Sequence, residues 1–170
     1  MIYRIKVIFI LLVFQTIHVA GQLSHAHAAD SQGHESDDPH NYHVGIGMAA
    51  AHVNGEQGLV PGFHLHFLRQ LGVHKRWGMG LGYEAIVDEH RHNGLNLLFN
   101  YRPVHAVSIL AGPGMILVKH DGNTEIKPAL HAEAVFEFNV GGLHLGPMIG
   151  YGADKDDHHF SVGVHIGLGF

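Results

Sequence analysis

From Tyr42 to Phe170 the chain alternates between apolar residues and small or polar ones with a period of two. That spacing places every second side chain on the same face of an extended strand. The clearest run is Phe160–Phe170. Phe160, Val162, Val164, Ile166, Leu168 and Phe170 are apolar, while Ser161, Gly163, His165, Gly167 and Gly169 fill the other face. Seven similar runs precede it, and their apolar positions are regular. They fall at about 42–51 (Val44, Ile46, Met48), 62–71 (Phe63, Leu65, Phe67), 77–87 (Trp77, Met79, Leu81, Tyr83) and 95–102 (Leu95, Leu97, Phe99, Tyr101). They continue at about 106–119 (Val107, Ile109, Ala111), 129–140 (Leu130, Ala132, Phe136, Phe138) and 143–152 (Leu143, Leu145, Ile149, Tyr151). No segment shows a convincing helical period. The pattern predicts an all-β chain of eight antiparallel strands.

The second face carries the information. It holds His43, Gly45 and Gly47, then His64 and His66, then Gly78, Gly80, Gly82 and Glu84. Asn96, Asn100 and Arg102 follow, then His131, Glu133 and Glu137, then His144, Gly146 and Gly150, and finally His165. A soluble barrel turns its apolar face inward, whereas a transmembrane barrel turns it to lipid and keeps the polar face in the lumen. Alternation alone fits both. Three features favour the transmembrane reading: an N-terminal targeting segment, the asymmetry of the connections and the placement of aromatics. The connections after the first, third, fifth and seventh runs are polar, as in 88–94, 120–125 and 154–159, whereas 103–105 and 141–142 are short. Long loops on one side and tight turns on the other are a habit of transmembrane barrels. Aromatics also collect at the ends: Tyr42, Trp77, Tyr101, Phe138 and Phe170 at the turn side, Phe63, Tyr151 and Phe160 at the loop side. Two such rings match interfacial girdles.

Two residues resist this reading. Pro113 and Pro147 fall within strands, and a closed barrel has no free edge for a residue that lacks a donor. Bulges or strand ends are expected there. A hairpin at Gly112-Pro113-Gly114 would change the strand count.

Composition narrows the classes. Charged residues make up 15% of 170, against roughly 25% in an average globular protein, and the net charge of −5 offers no basic footprint for nucleic acid. The absence of cysteine excludes a disulfide framework and thiolate chemistry. The N-terminus reads as a targeting segment. A basic start, Met1 to Lys6, precedes an unbroken apolar run from Val7 to Phe14 that is too short to span a bilayer as a helix. The expected organisation is a signal peptide at 1–21, a histidine-rich flexible tail at 22–41 and the barrel at 42–170. Cleavage falls between Gly21 and Ala28.

The signal peptide, the alternating strands and the closing Gly167-Leu-Gly-Phe170 resemble small bacterial outer-membrane β-barrel proteins. Ala111-Gly-Pro-Gly-Met115 and Leu145-Gly-Pro-Met148 are similar to stretches of small barrels from Bacteroidetes. The resemblance implies an eight-stranded up-and-down transmembrane barrel in the outer membrane, with lipid and the barrel-assembly machinery as partners. It also implies that Phe170 is part of the assembly signal.

The compositional outlier is histidine, at 19 residues. His-x-His occurs at His25/His27, His64/His66 and His90/His92. On a strand, His64 and His66 share a face and can reach one ion. His131, Glu133, His144 and His165 project into the same lumen, so these six form the candidate metal set. Imidazole and carboxylate suit zinc, copper or nickel. The bland competitor is a polar plug, in which the same side chains pair with one another. An eight-stranded lumen is only wide enough for its own side chains, which argues against a general porin. Two other functions compete with a structural or binding role. One is a lipid-modifying hydrolase, since His159-x-Ser161 resembles the histidine and serine of lipid A deacylases, although no acidic residue follows to orient the histidine. The other is a soluble periplasmic barrel that binds an apolar ligand.

Overall fold

The computed structural model describes residues 40–55, 57–88, 92–120 and 123–170. The expected signal peptide and its cleavage site, His25/His27, His90 and the part before His40 of the expected tail lie outside the described residues. The strands are β1 (Tyr42–Val53), β2 (Val60–Leu71), β3 (Trp77–Ile86), β4 (His92–Val104) and β5 (Val107–His120). They continue as β6 (Asn123–Phe136), β7 (Phe138–Val140), β8 (Leu143–Asp154) and β9 (His158–Gly169). Neighbours in sequence pair antiparallel, β1 pairs with β9, and β6 and β7 both pair with β8. The β6–β8 and β7–β8 ladders share one register, from Ala129↔Asp154 to Val135↔Met148 and on to Phe138↔Leu145. β6 and β7 are therefore one barrel strand broken at Glu137, and the fold is a closed barrel of eight antiparallel strands.

Closure gives the backbone groups of each strand partners on both sides, which is what permits strands to cross a bilayer. The seam joins β1 to β9 from His43↔Gly169 to Val53↔His159. Reciprocal backbone bonds extend it by one pair: Tyr42 N donates to Phe170 O at 2.8 Å, and Phe170 N donates to Tyr42 O at 3.0 Å. The Tyr42 ring stacks between Phe67 and Phe170, with centroids 5.8 and 5.9 Å away. Trp77 packs on its register partner Tyr101 at 4.4 Å, so the aromatics predicted at the turn side do meet there.

Both prolines lie inside strands, neither at a bulge nor at a strand end. The β4–β5 ladder runs through Leu95↔Met115 and Asn96↔Gly114 and resumes at Phe99↔Ala111 without a shift. Opposite Pro147 the ladder likewise passes from Val135↔Met148 to Phe138↔Leu145. A proline has no N–H to donate, so the adjacent ladder bond is lost while register holds. The glycine before each proline lets the neighbouring strand close in. A Cβ on Gly112 would meet the Leu97 carbonyl oxygen, and one on Gly146 that of Phe136. The one register shift of the β4–β5 pair lies instead between Tyr101 and Val104. Gly112-Pro113-Gly114 is continuous strand, so the predicted count of eight stands.

The loop contrast is weaker than predicted. Segment 120–125 was expected as a polar loop, yet β5 and β6 extend through most of it and leave only 121–122 between them. Polar residues can continue a hairpin past the apolar band because antiparallel pairing needs only a neighbour. At that rim, Lys127 Nζ reaches Asp156 Oδ2 at 2.7 Å. This contact, joined by Lys155, holds the exposed Asp156 carboxyl below its ordinary range. Its small contribution is present above the unfolded pKa and lost as pH falls through the lowered folded one.

The two faces sort as a transmembrane barrel requires. Ile46, Leu65, Leu81, Phe99, Ile109, Leu130, Val162 and Ile166 point outward and are exposed. His43, His64, His66, Asn96, Asn100, His131, Glu133 and His165 are buried inside. The interior is not uniformly polar, however. Leu68, Leu98, Leu110, Val135 and Met148 form one apolar cluster. Ala51, Val53 and Ile86 form a second, and Ile116, Val118 and Ala129 a third. The second lies towards the C-terminal ends of β1 and β3, and the third towards the C-terminal end of β5 and within β6.

Placing a charge on the outer face near mid-strand tests this arrangement. Leu65→Arg should cost about 2–4 kcal/mol in denaturant unfolding from lipid vesicles, the cost of a basic residue at the bilayer midplane. An unchanged midpoint would mean that Leu65 does not face lipid.

Candidate functional site

The inner histidines are large rings in a narrow tube, and glycines across the strand pairs make the room. Gly47 lies opposite His64 on β2 and His165 on β9, and Gly45 lies opposite His66. A Cβ on Gly47 would run into the His64 ring, and one on Gly45 into His66 and His165. Part of the glycine and histidine content thus shares a cause: where β1 gives up its side chain at Gly45 and Gly47, its neighbours can turn an imidazole inward.

The rings and carboxylates form a continuous line along the lumen. At the turn side, His144 Nδ1 sits 3.4 Å from Glu137 Oε2, which also accepts from Arg102 Nη2 at 2.8 Å. Glu137 Oε1 faces His43 Nε2 at 4.0 Å. His43 Nδ1 is 3.3 Å from His66 Nε2, and the His66 ring stacks on His165 with centroids 5.0 Å apart. His165 Nδ1 then meets His64 Nε2 at 3.2 Å, and His64 Nδ1 lies 3.5 Å from Glu133 Oε2. His131 bridges Glu133 at 3.7 Å and Glu84 at 3.4 Å, and Glu84 Oε1 ends the line on His159 Nε2 at 3.2 Å.

Two points on this line gather enough ligand atoms for a metal ion. His64, His66, Glu133 and His165 each offer one atom, all within 4.8 Å of one another, and all four residues are buried. His43, Glu137 and His165 do the same. Of the six candidates from the sequence, four therefore meet in one group. His131 stands beside it on Glu133, and His144 belongs with Glu137 nearer the turn side. A small cavity of about 10 Å³, lined by His64, His66, Glu84, Asn96, His131 and Glu133, adjoins the first group. That is room for about one water-sized occupant.

His43, Glu84, Glu137 and His159 belong to the line but were not among the candidates. All four lie on the inward face, which alternation does reveal. Their partners do not follow from it, because Glu84 and His159 sit on β3 and β9 and meet only across the lumen. Glu84 also supplies the carboxylate that the His159-x-Ser161 pattern lacked. His159 and Ser161 are each only 5% exposed and turned away from the outer apolar face, and His159 joins the lumen line through Glu84. Phe170 stands apart from this chemistry, at the β1–β9 seam.

No family model matches the chain, and none of the curated proteins matches it. Solved structures share the fold. Neisserial surface protein A is 12% identical, with 76% of this chain and 97% of that one covered at a TM-score of 0.50. The N-terminal β-barrel domain of Pseudomonas aeruginosa OprF is also 12% identical, with 76% and 98% covered at a TM-score of 0.51. At this identity the likeness concerns the fold: an eight-stranded antiparallel barrel of the kind found in bacterial outer membranes.

The glycine–histidine fit is open to a double-mutant cycle. Gly47→Ala should cost about 1–3 kcal/mol by overfilling, and His64→Ala in the same chain should recover most of that loss. Additive losses in chemical unfolding would show that the two residues do not compete for one space.

Proposed function

We propose that this protein is a bacterial outer-membrane barrel of structural and binding type whose lumen holds one divalent transition-metal ion at His64, His66, Glu133 and His165. The observation that carries the reading is the convergence of three imidazoles and a carboxylate, all buried, with ligand atoms within 4.8 Å of one another. Three nitrogens and an oxygen make a donor set suited to tetrahedral zinc, with copper(II) and nickel as competitors. Glu133 turns Oε2 towards His64 Nδ1 at 3.5 Å, and its Oε1 is buried without a hydrogen-bond partner among the described residues, so the carboxylate keeps capacity to accept.

Outer-membrane placement is supported by the exposed apolar belt, too extensive for a surface in water, and by the shared fold. The filled lumen favours binding over passage of solutes. The inward, buried His159 and Ser161 favour a non-enzymatic role, since a lipid hydrolase must bring its nucleophile to lipid. Among the described residues the interior is filled by its own polar and apolar side chains, which disfavours a periplasmic carrier of an apolar ligand. Lipid and the assembly machinery are the proposed partners, with Phe170 as the residue the machinery reads.

Zinc titration of the refolded barrel in detergent tests the lumen site. The double variant His64→Ala/His66→Ala should bind more weakly by more than the roughly 10–100-fold that loss of an outer-shell partner costs. Unchanged affinity would make the histidines a self-paired plug. Membrane fractionation with heat-modifiable gel mobility tests the location, and a chain that stays soluble without detergent would overturn it. Removal of Phe170 should lower the amount of folded barrel in cells while the purified chain still refolds in detergent.

A further inference from the structure

The first metal group leaves part of the line unexplained. His43 Nδ1 and His165 Nδ1 are engaged, at 3.3 Å from His66 Nε2 and 3.2 Å from His64 Nε2. Their other ring nitrogens, His43 Nε2 and His165 Nε2, are buried and have no hydrogen-bond partner among the described residues. Both border the same small space. A Cβ on Gly167 would lie 2.9 Å from His165 Nε2 and against His43 Nε2. Glu137 approaches that space with one oxygen. Its Oε2 is taken by Arg102 and by His144, whereas Oε1 faces His43 Nε2 at 4.0 Å. Buried polar atoms without partners are costly and uncommon. Two imidazole nitrogens and a carboxylate oxygen aimed at one glycine-floored space suit a divalent cation.

We propose that His43, Glu137 and His165 form a second binding group for a first-row divalent metal ion, at the end of the lumen where His40 and Asn41 lead into β1. The inference rests on the lumen-metal reading above and extends it. The two groups share His165, with its Nδ1 turned to the inner group and its Nε2 to the outer one. A neutral imidazole has one donor nitrogen and one N–H, so His165 serves one group at a time. The groups therefore compete. The three-ligand group lies nearer the turn-side mouth, where the His40 and His144 rings stand 6.3 Å apart. It stands between that end and the four-ligand group, and switching of the His165 tautomer exchanges the ion between the two groups.

Cobalt(II) is the probe, because a four-coordinate nitrogen–oxygen site gives intense visible bands that solvated ions and loosely held surface ions lack. The full chain is refolded in detergent micelles and titrated. The wild type should take up one equivalent with such bands. The double variant His64→Ala/His66→Ala should keep one equivalent, at weaker affinity, because the outer group then has sole use of His165. Adding Glu137→Gln, which keeps an oxygen for Arg102, or in a separate chain His43→Ala, should remove the bands. Tail and loop histidines are the same in every variant, so differences report the lumen. Loss of all bands in the double variant would overturn the second group and leave the first standing. Bands in the double variant that survive both added substitutions would also overturn it. A wild type that binds no cobalt would remove both groups together.

Discussion

A barrel of eight strands encloses a lumen no wider than the side chains that line it. Whatever points inward must therefore be satisfied by something else that points inward. This constraint organises the molecule. It explains why the inner face mixes glycine with histidine, since a ring that projects far into the tube needs a neighbour with no side chain at all. It explains why the carboxylates Glu84, Glu133 and Glu137 are each within reach of at least one imidazole. It also explains the apolar clusters, one across the lumen and two near the strand ends, where leucine, isoleucine, valine, alanine and methionine fill the space.

The lumen line is a compromise between packing and chemistry. Paired imidazoles and carboxylates can plug a tube, and most of this line does so. Pairing is incomplete in several places, among them Glu133 Oε1, His43 Nε2 and His165 Nε2 in the converging clusters and Gln70 Oε1, Asn100 Oδ1 and Arg102 Nε outside them. A sequence under pressure only to fill space has simpler solutions, such as the Leu68–Leu110–Val135 packing across the same lumen. His64 and His165 share the rung of Gly47 and His66 lies on the next inward rung at Gly45, so three imidazoles meet within a short length of the lumen.

Alternation made the strands legible, and with them the lipid face, the inward set and the strand count. It works because a one-residue slip would turn every apolar side chain into the lumen. The ends of strands were less legible. Residues 120–125 look like a loop because they are polar, but hairpin pairing beyond the apolar band depends on the neighbour rather than on hydrophobicity. Pro113 and Pro147 looked like interruptions, yet each costs only a local rung because a glycine lets the adjacent strand close in. Partnership across the lumen was not legible at all. Glu84 meets His159, and His43 meets Glu137, through barrel curvature and strand stagger, which no spacing along the chain encodes. That is why four of six metal candidates were found together while His43 and Glu137 were not anticipated.

The seam has a consequence for how the barrel comes into being. Ordinary hairpins join every adjacent pair except one, and that one unites the strands farthest apart in sequence, β1 and β9. Until Tyr42 and Phe170 exchange their backbone bonds, the sheet has two open edges and His43 and His165 have no shared interior. Ring closure is a contact of very long sequence separation, and such contacts form late and slowly. The two clusters that join His165 on β9 to His43 on β1 and to His64 and His66 on β2 are therefore products of the final closing step. A barrel still open at its seam would have neither.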